Sequence, residues 1–527
     1  MTVDDLRAGA RFVAGLISPS SRGLGLAEAQ SSLRERLAHR EGEFLGLVDQ
    51  AIYRNPSSPY RRLLAVAGCE FGDVEKLVGT EGIEGALAEL YRRGVYLTVD
   101  ELKGRRPAVR GSVTVHVEPR LLRVPGAGAH VVTHSSGSRG SRTALAVDVA
   151  SVRVQTTNYA NVLDARHGLG WVHATWAVPG SAVTVRLQQH QMLGLRVSRW
   201  FSQVNARAPG LHSRYRWSVR LQRLGSWLAG VPLPAPEYVP VDDPLPIARW
   251  MAATIAAGRT PHLWTFPSSV VRLCRAAEGA GLRLWGAQFT TSGEPMTSAR
   301  RRTIERLGAV VQPLYGSSET GLMGYGCLAP DGDDDFHVSS DCHAIIHAGK
   351  TEGPFRPRAL LVTSLHSTAR VVLLNVSLGD EAELGARPCG CALERLGWRQ
   401  HVSTVRSFEK LNAGGIALLD TDVVTVLEET LPARFGGGPT DYQLVEDEFD
   451  DGRPRLRLLV HPALGPLDEA AVAETFLKSI GEGSGVERLV ELQWRQAGLP
   501  LVTRGVPQAT KGGKILHLHQ SGRGDAE

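Results

Sequence analysis

The sequence predicts an α/β protein in two parts: a large N-terminal domain of helix-covered β-sheets and a smaller, mobile α+β C-terminal domain. Three observations predict it. The chain has 527 residues, more than one hydrophobic core usually holds. Between residues 144 and 350, helix-like stretches alternate with short apolar runs, the pattern of sheets covered by helices. After a break at 400–415, ending in Asn412-Ala413-Gly414-Gly415, the alternation resumes as a module of about 120 residues. The expected division is residues 1–405 and 406–527, with a mostly helical leading segment over 1–105.

In that leading segment, Leu26 to Gln50 and Glu81 to Arg93 place apolar residues at helical spacing. Val95 to Val99 reads as extended, and Ser112 to Val117 alternates like a strand after Pro107 and Gly111. Next come helices over Ile247 to Ala257, Val270 to Gly279 and Thr297 to Leu307, with apolar runs over Leu282 to Thr290 and Ala309 to Leu314. Pro330 to Asp335 reads as a solvated acidic turn, and it lacks calcium-loop spacing. Strands are expected over Arg358 to Thr363 and Val371 to Leu378. In the C-terminal module, helices are expected over Asp420 to Thr430 and Glu469 to Ile480, and strands over Tyr442 to Glu446, Leu456 to His461 and Leu489 to Trp494.

Composition narrows the function. Apolar residues make up 43% and charged residues 21%, ordinary for a soluble globular chain. The net charge of +5 is weak over this length, and no lysine-rich run is interleaved with aromatics, so nucleic acid is not an expected partner. No secretory signal and no apolar run of about 20 residues is present, so no membrane span is expected. Six cysteines in so long a chain are not a disulfide framework, which points to the cytoplasm. The oligomeric state is left open, a dimer included.

Four stretches carry polar chemistry. Thr133 to Thr143 holds Ser135, Ser136, Gly137, Ser138 and Gly140, and can present N–H groups, hydroxyls and guanidinium groups to an anion; a plain surface loop has the same composition. No Gly-Lys-Ser/Thr follows, so it is not a Walker loop. Thr291-Ser292-Gly293-Glu294-Pro295 follows an apolar run: Gly293 permits close backbone approach, and the stretch also fits a strand-to-helix turn with Glu294 in the first helical turn. Leu314-Tyr315-Gly316-Ser317-Ser318-Glu319-Thr320-Gly321 fits either a capped turn or a site in which Tyr315 covers a flat ring and Glu319 holds Mg²⁺. Gly379-Asp380 offers a carboxylate suited to ribose hydroxyls, or an ordinary turn.

In this order, and followed by a module ending in Gly513-Lys514, the stretches resemble the acyl-adenylate-forming superfamily: acyl–coenzyme A synthetases, peptide-synthetase adenylation domains and luciferases. The nearest resemblance is to the phenylacetate–coenzyme A ligase group, with the acyl-protein synthetase of bacterial luminescence as a neighbour. It spans roughly residues 40 to 520, and Tyr-Gly-x-x-Glu is its most specific local motif. The resemblance implies that Ser135 to Gly140 embrace the β- and γ-phosphates of ATP. It implies that Gly293, Glu294 and Tyr315, Gly316 and Ser317 line the adenine and the acyl carboxylate, that Glu319 coordinates Mg²⁺, and that Asp380 holds the ribose. The resemblance also makes Arg406 the catalytic arginine that the family keeps beside the hinge between domains, in contact with the nucleotide. Val506 to Lys514 is similar to the closing loop Pro-x-x-x-x-Gly-Lys, one residue longer here, which makes Lys514 the adenylation lysine and Lys511 its competitor. Departures are Arg139 in place of a small hydroxyl residue, Ser141-Arg142 in place of Lys-Pro, the apolar run before Gly379, and Arg406-Ser407-Phe408-Glu409 in place of Arg-x-Asp-Asp.

The cysteines add a second expectation. Cys389-Gly390-Cys391 offers two thiolates to one metal, and Cys327 with His337 completes a closed structural zinc set if the fold brings them together. The phenylacetate ligase group has a similar arrangement. Cys342 carries less weight. The function expected is ATP-dependent, AMP-forming activation of a small carboxylic acid, then transfer to coenzyme A or to the phosphopantetheine of a carrier protein, as in an acid–thiol ligase. The alternatives are an acyl-protein synthetase and a catalytically silent nucleotide-binding relative. Trp264, Phe266, Phe289 and Met296 are candidates for the acyl pocket wall, and equally for plain core.

Overall fold

The computed structural model describes residues 13–15, 17–18, 21, 23–125, 131–134, 144–178, 180–205, 213–349, 353–407, 412–413, 416–417, 420–448, 454–482, 486–496, 498–510 and 513–520. Its centre is a twelve-stranded mixed sheet. In spatial order the strands are His343–His347, Ala359–Ser364, Val376–Ala386, Gln400–Ser407, Phe336–Val338, Gly321–Gly326, Val310–Ser317, Gln288–Ser292, Pro261–Thr265, Val172–Ala177, Val197–Ser202 and Pro236–Tyr238. From Val310–Ser317 onward neighbours run parallel, and the remaining pairings are antiparallel. Helices such as Ser181–Met192, Leu245–Ala256 and Pro267–Gly279 connect the parallel strands, as crossovers require. The strands Val172–Ala177 and Pro261–Thr265 are buried along their whole length, as strands covered on both faces are.

The leading helices do not form a separate unit. Phe44, Leu64, Leu87 and Leu90 share one core with Ile345, Leu361 and Val376 of the antiparallel strands. The helix expected over Leu26 to Gln50 is two helices, Leu26–Ala38 and Arg40–Val48, meeting at His39. Val95 to Val99 supplies a single bridge, Leu97 to Val376, and Asn375 anchors it by donating to the carbonyls of Val95 and Leu87 at 3.2 and 2.8 Å.

The C-terminal module has a four-stranded sheet in the order Leu501–Arg504, Pro454–Val460, Tyr442–Glu448, Leu518–Gln520. Its core begins at Val423 and gathers Leu427, Leu444, Leu458, Phe476 and Trp494.

Three expectations are corrected. The break expected from 400 starts later, because Gln400–Ser407 is a strand paired with both Phe336–Val338 and Val376–Ala386. The strand expected over Leu489 to Trp494 is the helix Val486–Gln496: Glu491 and Trp494 lie one helical turn apart and both are buried, with the Trp494 ring stacked on Phe476 at 6.2 Å. A short apolar run fits either period, and here packing selects the helix. The acidic turn is not fully solvated: Asp334 and Asp335 are buried, the first accepting from the N–H groups of Thr404 and Val405, the second from His401 Nδ1 at 2.6 Å.

Candidate active site

Four neighbouring parallel strands end at Ala177, Thr265, Ser292 and Ser317. Open α/β sheets bind ligands beyond the carboxyl ends of their strands, and the stretches Thr291 to Pro295 and Leu314 to Gly321 lie there. Gly293 follows its strand with φ 84°. A Cβ at this position would lie 2.9 Å from both Cε and Nζ of Lys514, so conformation disfavours a side chain and the lysine tip would have to move for one. Lys514 thus crosses from the C-terminal module onto Gly293, and its Nζ is 5.8 Å from the Phe266 ring centroid. Gly513, at φ 82°, sits against Gln203 and Val178 with no room for a Cβ.

Glu294 explains how this approach is held. Its side chain is 1% exposed. One oxygen accepts from Ser268 N at 2.9 Å and from Arg300 Nη1 at 3.1 Å; the other accepts from Ser268 Oγ and from Ile515 N, each at 2.9 Å. The carboxylate therefore serves the N-terminus of Pro267–Gly279, where a negative charge is favoured, rather than the helix that follows it in sequence. It also ties down the residue after Lys514. Arg300 spans both domains, since its Nε donates to Glu428 Oε1 at 2.7 Å and its Nη2 lies 3.2 Å from His517 Nε2. Burial would raise the Glu428 carboxyl, but Arg300 and His517 bring it down to about 2. Sequence reasoning missed Arg300, Glu428 and His517. No local motif marks them, because each partner comes from a distant segment.

On the adjacent strand, Tyr315 Oη donates to Asp380 Oδ2 at 3.0 Å, joining two of the four stretches. Burial, reinforced by Asp380, holds the phenol well above its ordinary value, so it stays protonated. The turn after Tyr315 is built from hydroxyls: Ser317 Oγ accepts from the N–H groups of Glu319 and Thr320, each at 3.2 Å. Glu319 faces Arg370, which burial brings down to about 10 while Glu319 pulls the other way. Arg406 stands one register position from Asp380. It lies opposite Glu381 in the sheet, donates to Asp334 Oδ2 at 3.1 Å, and lines a cleft of about 490 Å³ that Lys514, Gly293, Tyr315 and Asp380 do not line. Ser135, Ser136, Gly137, Ser138, Gly140, Arg139 and Lys511 lie outside the described residues.

Among the pocket candidates, Trp264 and Phe266 pack with Ala177 and Val183 near Lys514, whereas Phe289 and Met296 belong to a different core with Leu273 and Ile304. Cys327, His337, Cys389 and Cys391 converge, with their ligand atoms within 4.8 Å of one another. His337 Nε2 is 3.5 Å from Cys389 Sγ and 3.2 Å from Cys391 Sγ, while Nδ1 donates to the Trp398 carbonyl at 2.7 Å. A tetrahedral zinc with bonds of about 2.0–2.3 Å spaces its ligand atoms by about 3.5 Å, and it wants the second imidazole nitrogen on a carbonyl, so this donor set fits. Cys342 instead donates to Asp341, outside the cluster.

No family model and no curated protein matches the chain. Similar solved structures include a 2-hydroxyisobutyryl-CoA ligase in complex with 2-HIB-AMP and CoA, 14% identical over 95% of this chain and 92% of that one, with a TM-score of 0.43. The amide bond synthetase McbA from Marinactinospora thermotolerans is 13% identical over 88% and 92%, with a TM-score of 0.40. The anthranilate CoA ligase AuaEII, in complex with anthranoyl-AMP, is 11% identical over 73% and 65%, with a TM-score of 0.39. Among the described residues no helix is long and apolar enough to cross a membrane.

Proposed function

We propose that the protein is an adenylate-forming enzyme. A carboxylate oxygen attacks the α-phosphorus of ATP, the bond to the β-phosphate oxygen breaks, and the products are an acyl-adenylate and pyrophosphate. A thiol, of coenzyme A or a carrier-protein phosphopantetheine, then takes the acyl group and AMP leaves. One observation carries this reading: Lys514, delivered by a separate module, lies directly on Gly293 at the carboxyl ends of the parallel strands. An ammonium placed there stabilises charge that builds on the phosphorus oxygens as two anions are brought together.

The Tyr315–Asp380 pair supports the reading by placing a ring face and a carboxylate side by side, suited to a base and a ribose. Glu319 is the residue that would hold Mg²⁺, which neutralises phosphate oxygens when bound. The Cys327, His337, Cys389 and Cys391 set is assigned a structural zinc, since all four positions are protein ligands and none is left for substrate.

The test is ATP–pyrophosphate exchange across aryl, medium-chain, dicarboxylic and amino acids. Exchange is expected with at least one acid and is expected to fall at least about 100-fold in Lys514→Ala. Equal exchange in Lys514→Ala and the parent protein would overturn the assignment of that lysine. Nucleotide binding with no exchange for any acid would favour a silent relative.

A further inference from the structure

Behind Trp264 lies a group of buried side chains that the mechanism above does not use. Arg186, on the helix Ser181–Met192, is 4% exposed, and its Nη1 finds no hydrogen-bond partner. Among the described residues it forms no ion pair with a carboxylate. Its guanidinium carbon lies 4.2 Å from the Tyr159 ring centroid and 5.5 Å from that of Trp264. Trp264 Nε1 and His190 Nε2 are likewise buried without partners, and Tyr159 Oη has only Arg186 beside it. The Tyr159 and His190 rings are 5.8 Å apart, so these orphaned atoms belong to one neighbourhood. A buried guanidinium without a counter-charge is costly, and so is each buried donor left unpaired. Several in one place point to a missing ligand rather than to packing.

The charges decide what kind of ligand. Nitrogen atoms of His173, His190 and His262 lie within 4.8 Å of one another, a spacing a metal could use. Two features oppose a cation. His173 and His262 already satisfy each other across 2.9 Å, and His262 Nε2 bonds Thr290. All three imidazoles are held below their ordinary value by burial, with Arg186 adding to the effect on each and Arg166 on His173 and His262. The cluster is thus flanked by two guanidinium groups and contains no carboxylate. Such a field repels a dication and attracts an anion.

The cluster is linked to Lys514 through two aromatic rings. The Trp264 ring, which Arg186 faces, is 6.5 Å from the Phe266 ring, and Phe266 in turn faces Lys514 Nζ. Two aromatic rings therefore separate the unpaired guanidinium from the lysine. We propose that Arg186, with Tyr159, Trp264 and His190, forms a buried anion subsite, and that the acid activated at Lys514 carries a second carboxylate which this subsite holds. The proposal rests on the adenylating function proposed above. The distal carboxylate would accept from Arg186 and from the Trp264 N–H, satisfying donors that otherwise stay unpaired.

The experiment compares pyrophosphate exchange for linear and aromatic dicarboxylic acids with that for monoacids of matched length, in the parent protein, Arg186→Met and Arg186→Lys. The parent is expected to favour the diacid by about 100-fold in kcat/KM, and Arg186→Met is expected to lose most of that ratio through KM. Arg186→Lys is expected to recover part of it. Exchange with monoacids only, or a ratio unchanged in Arg186→Met, would overturn the subsite while leaving the adenylating function standing. If no acid supports exchange, that function falls, and calorimetric binding of the same diacids to the full chain decides the subsite. Binding lost in Arg186→Met supports it, and absence of binding to the parent overturns it. If Arg186→Met does not fold, the parent ratio and Arg186→Lys decide.

Discussion

Replacing Glu428 by Gln should separate closure of the C-terminal module from the chemistry it closes on. In the docked arrangement Glu428 is 1% exposed and accepts from Arg300 across the domain boundary and from His517 within its own module. The carboxyl falls from the ordinary 4.5 to about 2 against the upward push of burial. That shift corresponds to about 3 kcal/mol of preference for the charged form. Arg300 and Thr297 both reach Glu428 from the other domain, and a loss of about 2 kcal/mol on undocking corresponds to a factor of about 30 in the docked population. Breaking one side of a buried pair commonly costs about 3–5 kcal/mol, which bounds the effect from above. Glu428→Gln is therefore expected to lower pyrophosphate exchange about 30-fold and to raise hydrogen–deuterium exchange over residues 298–303 and 424–430. The sign in pH follows from the lowered carboxyl: the docking contribution is complete above about 4.5 and is lost between there and about 2. Exchange within twofold of the parent, with unchanged protection at both segments, would refute this account of docking.

Two further predictions follow from the geometry. Chelator-dialysed protein should retain one zinc per chain by elemental analysis, and Cys391→Ser should lose it with a destabilisation of about 3 kcal/mol or more; protein that never held zinc would remove the assignment. Gly293→Ala should cost about 1 kcal/mol in backbone strain and also displace Lys514, lowering exchange at least about 10-fold. Because the two act at one contact, adding Gly293→Ala to Lys514→Ala should cost less than it does alone, and full additivity would place the lysine elsewhere during turnover.

What the sequence disclosed depended on how far apart the interacting groups lie. Cys389-Gly390-Cys391 announces itself because two thiols two residues apart are rare without a purpose, and a metal set tolerates long separations so long as the residue types are distinctive. Tyr315 and Asp380 could be named singly, but their hydrogen bond depends on sheet order, which one sequence does not encode locally. Asp334 and Asp335 look solvated in a run of acids, yet the strand Gln400–Ser407 turns its N–H groups and His401 toward them. Arg300 and Glu428 each resemble surface charges on amphipathic helices, and only the docking of two domains makes them interior. The same limit separates Trp264 and Phe266 from Phe289 and Met296: all four are apolar and buried, and only the three-dimensional arrangement tells which pair faces the lysine.

Glu294 holds the backbone beside Lys514 in place. Glu294 accepts a backbone N–H from each of two domains, Ser268 N on one and Ile515 N on the other, and 221 residues separate it from the second. Both oxygens are already engaged by protein donors, so the carboxylate has little left to offer a substrate. A charged acceptor is the physical choice for this place: it complements a helix N-terminus, balances Arg300 and receives the incoming loop. The Gly293-Glu294 stretch therefore works as a latch: the glycine makes room for the lysine, and the glutamate holds the chain that carries it.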